Sequence, residues 1–135
     1  MRDDRGSAVI EFLVLGIGVL VPLGYVAIAA AGVQAAVLAS TQAVREAGRA
    51  FSTSVTADEG RGRAVAAARL AFADHGLSLP AGALRVTCPG TACLSPGSTV
   101  VVDLAWSVNL PGVPAAVPVH ATHTVPVDDF RGSPA

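Results

Sequence analysis

Two cysteines are the residues of this sequence whose type and spacing most directly suggest chemistry. Cys88 and Cys93 are the only cysteines, and Pro-Gly-Thr-Ala separates them. A close pair that brackets a Pro-Gly turn is typical of a small disulfide loop in an oxidising compartment. Two thiolates are too few to complete the ligand set of a structural zinc site, and the spacing is not the Cys-x-x-Cys of redox motifs. The sequence therefore predicts a structural Cys88–Cys93 disulfide.

The histidines and the glycine-rich segment do not indicate catalysis. His120 and His123 lie on a predicted strand at a separation that puts them on opposite faces, so they cannot easily share a metal ion. His75 would interact favourably with the carboxyl end of a predicted helix. Residues 60–63 (Gly-Arg-Gly-Arg) are too short for a phosphate-binding loop, and the sequence has no nucleophile elbow or zinc-protease motif. We expect no enzymatic activity, no cofactor and no metal site.

One segment holds a large share of the apolar residues. The chain has 135 residues, of which 52% are hydrophobic and 14% are charged, with a formal net charge of -1. This net charge does not indicate a basic surface that would bind nucleic acid. No charged residue occurs between Phe12 and Val44, and crossing a bilayer takes about 20 apolar residues. Residues 12–33 therefore predict a helix that spans the cell membrane once.

A cleaved secretory signal is the main alternative for this segment. The apolar region of such a signal normally runs for only about 7–15 residues. The run in this chain is longer, and it starts beside the carboxylate of Glu11. The small residues 29–32 (Ala-Ala-Ala-Gly) could nevertheless mimic a cleavage site. The sequence favours a retained membrane helix and leaves this alternative open.

The next part of the chain predicts a continuation of the first helix and then a second helix. Helix-forming residues continue beyond the apolar run to about residue 51, and a break over 52–56 precedes a helix over 59–75. Thr56 or Asp58 can cap the start of the second helix, and Gly76 can end it. Its apolar stripe comprises Val65, Ala68, Leu70, Ala71 and Phe72.

The apolar period then changes to two, which indicates β-strands. Segments 98–110 and 117–127 alternate between apolar and polar residues, and 84–88 is a shorter candidate strand. Pro118 and Pro126 lack the N–H group that a sheet ladder needs, so the last strand should lie at a sheet edge. The predicted class is α+β with a small antiparallel sheet. The predicted parts are a cytoplasmic leader (1–6), a transmembrane and extended N-terminal helix (7–51), an extracytoplasmic α+β domain (52–130) and a flexible tail (131–135).

A short junction opens the long helix. It reads Arg-Gly-Ser-Ala-Val-Ile-Glu-Phe over residues 5–12, so Glu11 is the fifth residue counted from Ser7. This arrangement resembles the processing site of type IV pilin-like proteins, where a prepilin peptidase cuts after glycine and leaves glutamate at the fifth mature position. The opening looks like the TadE-like branch of tight-adherence (Flp) pilus proteins, most specifically over residues 5–25. The remainder matches that branch more loosely, in size and in a C-terminal β region.

The resemblance implies a minor pilin or pseudopilin that takes part in assembly or priming of a Tad (Flp) type IV-like pilus. Gly6 and Ser7 would flank the cleaved bond, and Glu11 with Phe12 would act in assembly. The family implies that the glutamate pairs with the new α-amino group of a neighbouring subunit, because an unpaired buried charge is penalised. The implied partners are the membrane, other pilins or pseudopilins, the pilus assembly platform and the prepilin peptidase.

Two further alternatives remain open. Glu11 lies near the start of the mature helix, so it could be a snorkelling side chain at the membrane interface with no role in assembly. The chain could also be a signal-anchored extracytoplasmic domain, unrelated to pili, that binds a ligand or a wall component. Arginines flank both ends of the apolar run, so charge does not decide the orientation. The cysteines favour an extracytoplasmic C-terminal domain.

Overall fold

The computed structural model describes the backbone of residues 4–90 and 92–130, and side chains of the first helix from residue 8 onward. Residues 1–3 of the predicted leader and the whole predicted tail (131–135) lie outside the described residues. The helices are α1 (Asp4–Ser52) and α2 (Ala57–Asp74), and the strands are β1 (Leu84–Thr87), β2 (Thr99–Asn109) and β3 (Ala116–Pro126). The predicted α+β class is confirmed, and the ends of the predicted elements differ from the observed ones by a few residues.

The chain divides into two compact units, Met1–Gly32 and Val33–Ala135. The first unit is the apolar part of α1, and its large side chains are exposed, with Phe12 at 77% and Ile28 at 68%. Within the described residues, α1 is the one helix that is long and apolar enough to cross a membrane. Pro22 lies inside this helix without ending it. The position and composition of the apolar part of α1 agree with the predicted membrane helix.

In the second unit, α2 begins and ends where its capping residues predict. Thr56 has extended backbone, and its hydroxyl accepts a hydrogen bond from the backbone N–H of Glu59 at 3.2 Å. At the other end, Gly76 has a φ of +68° and donates its N–H to the carbonyl of Ala73, while Leu77 donates to Phe72. This pair of bonds is a Schellman motif, which glycine favours because it adopts positive φ at little cost.

The sheet is antiparallel with the order β1-β2-β3. The N–H of Ala105 donates to Ala83 at 3.0 Å, on the β1 side of β2. The odd-numbered residues of β2 therefore bond to β1, and the even-numbered residues of β2 bond to β3. The register pairs these even-numbered residues with the odd-numbered residues of β3. The backbone N–H positions of the even-numbered residues of β3 point to the outer edge of the sheet. Pro118 and Pro126 are among these residues, so their missing N–H groups break no ladder bond. The prediction of an edge strand is confirmed.

Small side chains let the helices of the second unit pack closely on their neighbours. A Cβ atom at Gly48 of α1 would lie 2.6 Å from Cγ2 of Val125 on β3, and one at Gly60 of α2 would lie 2.9 Å from Cδ2 of Phe51.

The prediction that Leu70 belongs to the buried stripe of α2 is wrong. Leu70 is 66% exposed, and Ala64 is fully buried. The buried core comprises Ala39, Ala43, Val44, Ala47, Phe51, Ala64, Ala68, Ala71, Phe72, Val100, Val102, Leu104 and Val127.

Candidate functional site

Glu11 lies on α1 among exposed apolar side chains. Its neighbours Ile10 and Phe12 are 64% and 77% exposed, and Glu11 itself is exposed. Glu11 forms no ion pair within the part of the chain that the structure describes. Its carboxylate is therefore available to an external cation or to water at a membrane surface. Gly6 and Ser7 belong to the helical backbone of α1, and the Ser7 side chain lies outside the described residues.

Tyr25 is a second polar group in the first unit, and the sequence reasoning did not single it out. Its hydroxyl oxygen is shielded from solvent and has no hydrogen-bond partner among the described residues. A shielded hydroxyl without a partner costs about 1–3 kcal/mol. A neighbouring helix that supplied a partner would remove that cost. The signal was present in the sequence, because Tyr25 is the only tyrosine and stands inside an apolar run.

Cys88 and Cys93 are joined by a disulfide, with a Cα–Cα distance of 5.1 Å, as the sequence predicted. The bridge ties the residue after β1 to the segment that precedes β2. Ser98 Oγ donates to the carbonyl of Cys93 at 3.3 Å, and the N–H of Val127 donates to the carbonyl of Ser98 at 2.8 Å. Both cysteines are partly buried and pack against the core. The loop is thus tied to the end of the sheet where β1 and β3 finish and β2 begins, which is a structural role.

The histidines lie apart from one another. His120 is on the exposed face of β3, and His123 is partly buried on the other face, as their spacing predicted. The Nε2 atom of His75 is 3.1 Å from Oε1 of Gln42 on α1, so His75 has a specific side-chain partner besides the helix end. No group of three or more His, Cys, Asp and Glu side chains that could hold a metal ion occurs among the described residues.

The polar face of the sheet is covered by no helix of the described chain. Thr122 Oγ1 donates to Oδ1 of Asp103 at 2.8 Å across β2 and β3. Arg85 of β1 is the register partner of Asp103 on the other side. An open cavity of ≈ 310 Å³ lies here, lined by Gly82, Ala83, Arg85, Asp103 and Ala105. This face can offer both hydrogen-bond donors and hydrogen-bond acceptors to a ligand.

Comparison of the chain with known protein families, with curated protein sequences and with solved structures finds no match in any of the three.

Proposed function

We propose that this chain is a TadE-like minor pilin or pseudopilin that crosses the membrane once and takes part in assembly or priming of a Tad (Flp) type IV-like pilus. The observation that carries the proposal is the combination of α1 and Glu11. The first part of α1 exposes apolar side chains, and Glu11 is the only charged residue between positions 8 and 44. The resemblance of the junction around Gly6 supports the same reading.

Glu11 argues for subunit assembly in addition to anchoring. An apolar helix in lipid needs no protein partner, because lipid tails are as apolar as its side chains. A carboxylate within the bilayer costs up to about 2.5–3.5 kcal/mol at the centre, and less near the interface. A cation from a neighbouring subunit, such as the α-amino group of a chain cut before Ser7, would offset that penalty. The helix would then pack against other pilins in a register that this pair sets.

The second unit suits an extracytoplasmic location. It contains the Cys88–Cys93 disulfide, and disulfides persist in oxidising compartments outside the cytoplasm. In the proposed topology the N-terminus is cytoplasmic, α1 crosses the membrane, and the sheet with α2 lies outside. The prepilin peptidase would act on the junction from the membrane, and the assembly platform would receive the mature helix.

The test is the mass of the mature N-terminus in cells with and without a prepilin peptidase. The expected result is a chain that begins at Ser7 only when the peptidase is present. A Gly6→Val variant, which places a branched side chain where backbone approach is needed, should remain uncut in both strains. A chain that keeps Met1 in both strains, or one cut near Ala31, would contradict the proposal.

A signal-anchored extracytoplasmic binding domain is the second candidate function. The observation that favours it is the uncovered polar face of the sheet, with Arg85, Asp103 and Thr122 in neighbouring positions. Such a domain would keep its original N-terminus whether or not a prepilin peptidase is present. The same mass measurement therefore separates the two functions.

A further inference from the structure

Two open cavities lie next to each other where α1 enters the second unit. The apolar cavity measures ≈ 330 Å³ and is lined by Val33, Gln34, Val37 and Leu38. The polar cavity measures ≈ 460 Å³ and is lined by Leu38, Thr41, Gln42, Arg45, Glu46 and His75. Leu38 belongs to both, so an apolar surface passes directly into a polar one.

The apolar cavity is exposed without a covering element. Val37 is 47% exposed and Leu38 is 60% exposed, although both belong to the unit that has its own buried core. On the sequence, these residues lie shortly after residues 12–33, within the helix that is long and apolar enough to cross a membrane. Removal of this apolar surface from water is favourable, and the acyl chain of a lipid can cover it where the helix leaves a bilayer.

The polar cavity offers donors that suit a phosphate group. Arg45 forms no ion pair among the described residues, so its guanidinium is free to bind an anion. His75 Nε2 lies 3.1 Å from Oε1 of Gln42, so the amide N–H groups of Gln42 are not used in this contact and remain as donors. Arg45 lines this cavity together with Leu38, which the apolar cavity shares, and it also lines a separate cavity beside β3.

Glu46 gives the polar cavity a negative group beside the positive one. Arg45 would attract a purely anionic ligand, whereas Glu46 would repel it. A zwitterionic ligand with a phosphate and a primary ammonium matches both charges, because the ammonium can donate hydrogen bonds to the carboxylate. The phosphoethanolamine headgroup of a phospholipid carries this pair of charges and is attached to acyl chains that fit an apolar surface.

We propose that these two cavities form a binding site for one phosphatidylethanolamine molecule. Its phosphate binds Arg45 and Gln42, its ammonium binds Glu46, and an acyl chain lies on Val37 and Leu38. The site goes beyond the proposed role in pilus assembly and rests only on the membrane crossing of α1. It would hold the second unit against the membrane surface until the subunit leaves the bilayer.

The test uses the full chain purified in a non-ionic detergent and titrated with single phospholipids that have identical acyl chains. Native mass spectrometry counts the bound lipid molecules for phosphatidylethanolamine, phosphatidylcholine and phosphatidylglycerol. The expected result is one phosphatidylethanolamine bound about fivefold more tightly than phosphatidylcholine, because only its ammonium can donate hydrogen bonds to the carboxylate of Glu46. Phosphatidylcholine is the matched ligand, because it has the same charges and no N–H donor.

Three variants assign the contacts. Arg45→Gln should weaken phosphatidylethanolamine and phosphatidylcholine by a similar factor, because both carry the phosphate. Glu46→Gln should remove the preference for phosphatidylethanolamine over phosphatidylcholine. Arg69→Gln is the charge-matched control, since Arg69 is exposed on α2 and lines a different cavity, and it should bind as the native chain does.

Equal binding of the three lipids, or binding that Arg45→Gln leaves unchanged, would overturn the proposed site. Tighter binding of phosphatidylglycerol than phosphatidylethanolamine would also overturn it, in favour of a simple anion site. Alkaline extraction of membranes from expressing cells distinguishes a failure of the lipid site from a failure of the proposed membrane crossing of α1. A chain that is released by carbonate has no membrane crossing and contradicts both proposals, whereas a retained chain without lipid preference contradicts the lipid site alone.

Discussion

The indole N–H of Trp106 on β2 donates a hydrogen bond to the hydroxyl of Ser40 on α1 at 2.9 Å. Ser40 is fully buried, and its hydroxyl in turn donates to the carbonyl of Ala36 at 2.7 Å. The Trp106 ring also lies 5.2 Å from the ring of Phe72 on α2, measured between centroids. One tryptophan therefore joins the sheet to both helices of the second unit.

Ser40→Ala should lower the free energy of unfolding of the second unit by about 1–3 kcal/mol, because it leaves the partly buried indole N–H without a partner. Trp106 is the only tryptophan, so its fluorescence during thermal unfolding reports on this contact. Thr41→Ala is the matched control. Its hydroxyl donates to the carbonyl of Val37 in the same helical geometry but accepts nothing from the sheet. Equal effects of the two substitutions would contradict the structural role of the Trp106–Ser40 bond.

Gly48→Ala should destabilise the second unit by about 1–3 kcal/mol, the usual cost of overpacking a tight contact. The new Cβ would lie 2.6 Å from Cγ2 of Val125, a branched side chain that has little freedom to move away. Gly62→Ala on α2 is the control, because a Cβ there meets nothing within 4 Å. It should stabilise the helix by about 0.5–1 kcal/mol. Chemical denaturation of both variants measures the difference, and a shift of the same sign would count against close packing at Gly48.

Loss of the Cys88–Cys93 bridge should lower stability by about 2 kcal/mol, because the bridge removes loop-closure entropy from a short segment of the unfolded chain. Thermal unfolding with and without a reducing agent tests this expectation. The double variant C88A/C93A should unfold at a lower temperature than the native chain and should not respond to the reducing agent. An unchanged midpoint in the double variant would show that the loop is held by its hydrogen bonds at Ser98 instead.

Glu11→Gln should leave membrane insertion intact and should lower the incorporation of the chain into pili. The substitution keeps the size of the side chain and removes the charge that would pair with a neighbouring α-amino group. The fraction of the chain in sheared pili, divided by the fraction in the membrane, measures the effect. Glu11→Asp retains the carboxylate and should incorporate better than Glu11→Gln. If Glu11→Gln is incorporated into pili as well as the native chain, Glu11 is an interfacial residue without a role in assembly.

Much of the fold could be predicted from short-range features of the sequence. The charge-free run after Glu11 predicts the membrane helix, and the alternation around Trp106 predicts β2, since both patterns depend only on local periodicity. Thr56 and Gly76 mark the ends of α2 through bonds to neighbouring residues. The edge position of β3 follows from Pro118 and Pro126, because proline cannot serve a ladder on both sides.

The long-range contacts did not follow from these patterns. Leu70 was predicted in the α2 stripe and is exposed, whereas Ala64, which the predicted stripe did not include, is fully buried because of the rotation of α2 on its neighbours. The pairing of Gln42 with His75 joins residues 33 positions apart, and no local spacing relates them.

Composition, periodicity and turn residues thus decide which segments of this chain become helices and strands, and which helix is apolar enough to cross a membrane, because each depends on neighbours within a few residues. The contacts of Ser40 and Gly48 are set by how closely small side chains let the helices approach the sheet and one another. That distance depends on the packing of the whole second unit. The candidate lipid site therefore emerges from the folded chain, whereas Glu11 is visible in the sequence.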